Sequence, residues 1–180
     1  IIRMKGQKMD GSIQVYYGNG RGKTTAALGL GIRAAGVGKQ VIMVQFLKKK
    51  HSDTLDFLKK LEPELQIFRF EKAACGYSDL SPKEKQEQML NIKNALGYSR
   101  KVLDTGQCDL LILDEIFGLV DYNIITIEEL MDLIAVKKDS MDLILTGRNL
   151  PDEVREIADC VYSIQREKEK TPEILAQGNF

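Results

Sequence analysis

Histidine occurs once in this chain, as His51, and tryptophan not at all. The single imidazole stands outside any recognisable catalytic constellation, so no histidine base for water or for an acceptor hydroxyl is evident. Cysteine is scarce too: Cys75, Cys108 and Cys160 are odd in number and lack Cys-x-x-Cys spacing. They point to neither a disulfide framework nor a zinc site, and reduced thiols are the plain reading. An excess of one charge is also missing, because 26 Lys+Arg balance 26 Asp+Glu. A neutral total argues against a nucleic-acid partner. With no signal peptide and no apolar run of about 18 residues, no membrane partner is expected, and the expected location is cytoplasmic.

What is present is a regular alternation of strand and helix patterns. "SIQVYY" (12–17), "QVIMVQFL" (40–47), "LQIFRF" (65–70), "DLLILDEI" (109–116), "DLILTG" (142–147) and "CVYSIQ" (160–165) read as strands. They are short, apolar and rich in β-branched or aromatic residues. Helices are expected over 22–36, 52–61, from Ser81-Pro82-Lys83-Glu84 to about 104, from Thr126-Ile127-Glu128-Glu129 to about 138, and over 151–159. Ser81 with Glu84, and Thr126 with Glu129, have capping-box spacing. Continuous apolar strands between helices describe an α/β domain: one doubly wound, mostly parallel sheet with helices on both faces. A chain of 180 residues suits one such domain. The expected division is a tail over 1–11, its first residues read as added or trimmed because Ile1 is not Met, a nucleotide-binding domain over 12–165, and a tail over 166–180. Ligands of such sheets bind at the carboxyl ends of the strands.

At the first of those ends stands "YYGNGRGKTT" (16–25). Gly22-Lys23-Thr24 fits the close of a phosphate-binding loop, but Tyr17 occupies the position where the usual pattern begins with glycine. Gly18, Gly20 and Gly22 would permit positive φ and turn successive N–H groups toward an anion at the head of the next helix. Lys23 would neutralise phosphate oxygens, a contact worth about 4 kcal/mol at roughly 4 Å and an effective dielectric near 20, before desolvation. The Thr24 hydroxyl is placed to reach Mg²⁺. Asp114-Glu115 close an apolar strand as a Walker-B pair does, putting carboxylates beside the loop to hold or orient the metal. A bare glycine-rich turn, and acids that merely cap a strand, are the alternatives. Lys48-Lys49-Lys50 reads either as solvated surface or as part of the ligand edge. Glu115 could act as a base; failing that, the site suits a substrate that brings its own nucleophile.

Three stretches together resemble the ATP:corrinoid adenosyltransferases: "GNGRGKTTAALGLGIRAAGVGKQVIMVQFLK" (18–48), "LLILDEI" (110–116) and "LILTGRNLPDEVREIAD" (143–159). The family loop, Thr-Gly-Asn-Gly-Lys-Gly-Lys-Thr-Thr, also lacks the first glycine, which accounts for Tyr17. The resemblance implies a RecA-like P-loop fold, usually a homodimer, acting on ATP, Mg²⁺ and a corrinoid, with a flavoprotein as the source of electrons. It implies attack of Co(I) on C5′ of ATP, with ATP held in reverse so that the whole triphosphate departs. Asn19, Gly20, Arg21, Gly22, Lys23, Thr24 and Thr25 would cradle the triphosphate, with Lys23, Thr24 and Glu115 carrying the catalytic roles. Thr24, Asp114 and Glu115 would serve the metal. Arg33 and Arg148 match family arginines.

Departures from the family pattern fall where the corrinoid would sit. Many members carry Glu-Gly-Phe-Thr-Trp after the third strand, where this chain has "ACGYSDL" (74–80) and no tryptophan. Tyr77 is then either a stand-in at the corrinoid or a loop aromatic. The family's basic Lys-His-Pro segment is replaced by "REKEKTPEILAQGNF" (166–180), which keeps Ala176-Gln177-Gly178 and Phe180. Another P-loop ATPase or small-molecule kinase, or a nucleotide-binding domain without transfer activity, are the competing readings.

Overall fold

A computed structural model of the chain describes residues 10–48, 58–70 and 77–168. Six strands, β1 (Ile13–Tyr17), β2 (Val41–Gln45), β3 (Leu65–Arg69), β4 (Leu110–Asp114), β5 (Asp142–Gly147) and β6 (Cys160–Ser163), form one sheet in the order β3-β2-β4-β5-β1-β6. Every pairing is parallel. β2 and β4 are buried at all five positions, as strands covered on both faces must be.

Alternation along the strands assigns their side chains to two apolar layers. Val15, Ile42, Val44, Leu111, Leu113, Leu143 and Leu145 face one layer. That layer is completed by α2 (Pro82–Thr105), α3 (Ile116–Asp121), α4 (Ile127–Ala135) and α5 (Asp152–Ile157). Val41, Met43, Leu65, Leu110, Ile112 and Ile144 face the other layer, against α1 (Lys23–Ala35). α1 lies close to the sheet because its interior residues are small: a Cβ on Gly31 would stand 3.1 Å from Ile112 Cδ1.

Both capping boxes form. In α2 the Ser81 hydroxyl accepts from Glu84 N while the Glu84 carboxylate accepts from Ser81 N, and Thr126 and Glu129 repeat the exchange at α4. Two expectations need correction. The apolar run 109–116 is not strand to its end: β4 stops at Asp114, Glu115 takes φ 64°, and Ile116 begins α3. A helix there was hidden because its residues, Ile116 to Leu119, are all buried and carry no polar face to reveal a helical period. The fourth helix ends at Ala135, short of Lys138. Of the helix expected over 52–61 only the close is described, with Lys59–Leu61 a 3₁₀ turn; His51, Cys75 and "AQGNF" also fall outside the described residues.

Candidate active site

The α1 side of the sheet ends in a polar row that strand parity dictates. Arg69, Gln45 and Asp114 follow Ile67, Met43 and Ile112 by two residues, so they point to the same face at the carboxyl ends of β3, β2 and β4. Thr146 follows Ile144 in β5 in the same way. Register brings Gln45 opposite both Arg69 and Asp114. Hydrogen bonds run along the row: Arg69 Nε donates to Gln45 Oε1 (2.7 Å), Gln45 Nε2 to Asp114 Oδ2 (3.0 Å), and Thr146 Oγ1 to Asp114 Oδ1 (2.7 Å). Asp114 is fully buried. A carboxylate at that depth needs every one of these donors.

The glycine loop lies beside this row, one strand away, since β5 separates β1 from β4. α1 begins behind Gly22, whose φ of 109° is open to glycine and strained for other residues. No side chain caps α1 and its first turn holds no acid, so the leading N–H groups and the positive end of the dipole remain for an anion. The structure narrows the cradle expected from the loop. Gly18 N donates to Arg148 O (3.0 Å) and Gly20 N to Ile164 O (2.9 Å), so neither amide is free for phosphate. Gly20 is glycine for space: a Cβ there would lie 2.8 Å from Ile164 O. Lys23 folds over the loop, donating from Nζ to Gly18 O (2.7 Å) and Gly20 O (3.0 Å).

Thr24 connects loop and row. Its hydroxyl stands 2.9 and 3.1 Å from the two Asp114 oxygens. Above them sits Lys48, with Nζ 3.2 Å from Thr24 Oγ1 and 3.3 Å from Asp114 Oδ2. Lys48 is brought there by Leu47, which holds φ 55° just past the end of β2, a conformation costly for a residue with a Cβ. Glu115 also has positive φ; its N–H donates to Thr146 Oγ1 (2.9 Å) and its carboxylate lies beside Gly118.

The remaining sequence candidates divide. Asn19, Arg21 and Thr25 are exposed on the loop and helix head, with Asn19 Oδ1 accepting from Arg166 N (3.2 Å). Arg148 is exposed where β5 exits and lines a cleft of about 440 Å³ with Tyr17, Asn19 and Gln165. Arg155 covers Tyr17 there, 5.4 Å from the ring, and hydrogen bonds from Arg155 and Ser163 hold the phenol below its ordinary pKa. Arg33 is not brought to the site: it is exposed in the last turn of α1, about 15 Å along the axis from Lys23 at 1.5 Å per residue. Tyr77 packs at a tilt on Tyr122, centroids 5.3 Å apart, just past α3. Gln45, Thr146 and Arg69 escaped the sequence reading, although they could have been found as polar residues closing apolar strands at even spacing. Lys48 was left between solvated surface and ligand edge, and the structure brings it to Thr24 and Asp114.

A parallel sheet with a phosphate loop after β1 and a buried acid two strands away defines a P-loop protein of the RecA-like class. A solved KaiC-like protein from Pyrococcus horikoshii OT3 superposes with a TM-score of 0.55 at 19% identity, over 87% of this chain and 72% of that one. The sequence model of the ATP:corrinoid adenosyltransferases BtuR/CobO/CobP matches residues 9–177, and the chain belongs to that family. The corrinoid adenosyltransferase of Escherichia coli K12 is 30% identical over 155 residues, covering 86% of this chain and 76% of the relative. The corrinoid adenosyltransferase CobA of Salmonella typhimurium is 30% identical over 159 residues, covering 88% and 79%.

Proposed function

We propose that this protein transfers the 5′-deoxyadenosyl group of ATP to the Co(I) centre of a corrinoid and releases inorganic triphosphate. Family membership supports the reaction. The observation that carries the site is the uncapped head of α1, where Thr24 hydrogen-bonds the buried Asp114. In this reaction the cobalt electron pair forms the Co–C5′ bond while the C5′–O5′ bond breaks and its pair leaves on triphosphate. Cobalt passes formally from Co(I) to Co(III), and the corrinoid must arrive already reduced, by a flavoprotein in our reading. No protein base is needed for this step.

The protein's work is then to hold the leaving group and align the ribose carbon. The amides from Arg21 to Thr25, with the Lys23 ammonium released from the loop carbonyls, would grip the triphosphate, and Asn19, Gly20 and Gly22 would shape that grip. Arg148 would reach the nucleotide from the cleft edge. The Lys48 ammonium, within 3.3 Å of both Thr24 Oγ1 and Asp114 Oδ2, supports a cation site on that pair. Thr24 and Asp114, with Glu115 alongside, would hold Mg²⁺, which when bound supplies charge neutralisation to the polyphosphate. Tyr77 would meet the corrinoid. We place the enzyme in the cytoplasm as a homodimer; the described helices include none long and apolar enough to span a membrane. The test is anaerobic mixing with ATP, Mg²⁺ and chemically reduced cobalamin. The Co(I) spectrum should convert to that of adenosylcobalamin; ADP and phosphate formed without any corrinoid would instead mark an ATPase.

A further inference from the structure

The cation on Asp114 is the chain's own. Of the two lysines at the site, Lys23 is taken up by the carbonyls of Gly18 and Gly20, and Lys48 bridges Thr24 Oγ1 and Asp114 Oδ2 at 3.2 and 3.3 Å. Its side chain is 27% exposed, against 0% for Asp114, so it seals the carboxylate from above. Besides Lys48, the donors to Asp114 among the described residues are neutral: Thr24, Gln45 and Thr146. The ammonium therefore balances a fully buried charge that those donors solvate but do not neutralise. The positive φ of Leu47 holds the chain in the turn that delivers Lys48, which marks the placement as built rather than incidental.

Thr24 and Asp114 are also the pair our functional reading gives to the divalent ion, and the inference rests on that reading. An ammonium and a divalent cation cannot share two oxygens at contact distance. We infer that Lys48 is an internal counter-ion that holds the metal position while the site is empty and is displaced when the divalent ion arrives with nucleotide. The empty enzyme thereby discriminates against free divalent ions and takes up metal together with polyphosphate, whose oxygens offer the displaced ammonium a new partner. Lys48 is in this sense a positioning residue, acting through Thr24 and Asp114.

The test uses Mn²⁺ as the probe, titrated into nucleotide-free protein while free Mn²⁺ is read by electron paramagnetic resonance. Lys48→Met should raise Mn²⁺ affinity at least 10-fold, and Lys48→Arg, which keeps the charge, should stay within about twofold of the parent. Should Lys48→Met not fold, Lys48→Gln carries the same expectation. Unchanged or weaker Mn²⁺ binding in the neutral variants, with ATP binding to the parent intact, overturns the exchange and leaves the phosphate-loop reading standing. Failure of the parent to bind ATP with Mg²⁺ overturns that reading and the exchange with it.

Discussion

Replacing Asp114 by Asn tests whether the polar row is held by a charge or only by shape. The side chain is fully buried and accepts from Thr24, Thr146, Gln45 and Lys48. An asparagine can turn its NH₂ only toward the hydroxyls, because the Gln45 NH₂ and the Lys48 ammonium cannot accept. Its single oxygen then serves Gln45 and Lys48, and the Thr146 proton loses its acceptor. Losing a hydrogen bond to a charged group costs about 1.5–3 kcal/mol. The Lys48 pair, partly exposed, adds about 0.5–1 kcal/mol more. The expected destabilisation is about 2–4 kcal/mol, or roughly 5–15 °C in Tm for a chain of this size. Denaturant unfolding of nucleotide-free protein reads the first figure and calorimetry the second. Removing Lys48 as well, by Lys48→Met, should restore about 1 kcal/mol, since the ammonium left without its carboxylate is then gone. An Asp114→Asn variant within about 0.5 kcal/mol of the parent, or strict additivity with Lys48→Met, would refute the reasoning.

Lys23→Ala should weaken ATP binding by about 2–3 kcal/mol, roughly 30- to 150-fold, in a calorimetric titration. Unchanged affinity would remove Lys23 from the phosphate site. Gly20→Ala forces a Cβ to 2.8 Å from Ile164 O and should cost about 1–3 kcal/mol while loosening ATP binding. Burial pushes the Cys108 thiol up to about 12. The folded chain thus keeps a proton that the unfolded chain loses from about pH 8.5, so stability should fall as pH rises from there toward 12. Cys108→Ala should flatten that decline. Iodoacetamide at pH 8 should label exposed Cys160 and spare Cys108 until unfolding.

The fold could be read from the sequence because parallel strands buried on both faces announce themselves as apolar runs, and the capping boxes mark helix starts with specific residues. The glycine loop between β1 and α1 was equally plain, since lysine, threonine and three glycines stand at fixed spacing. What escaped has a common cause. α3 has no polar face, so nothing separated it from the strand before it. The reasons for the glycines differ one from another: Gly22 needs its backbone angle, whereas Gly20 is crowded by Ile164, just past the end of β6 and more than 140 residues along the chain. The row of Arg69, Gln45, Asp114 and Thr146 exists only once the strand order is known, because four separate segments contribute one residue each. Lys48 depends on one backbone angle at Leu47 that no local pattern announces.

The central claim is that the helix head grips a triphosphate that leaves whole when cobalt takes the sugar carbon. ATP carrying ¹⁸O at the 5′ bridging oxygen, turned over once with reduced cobalamin, measures this directly. Cleavage between C5′ and O5′ predicts one labelled triphosphate for each adenosylcobalamin formed. Label retained on adenosine, or recovery of ADP and phosphate in place of triphosphate, would contradict it.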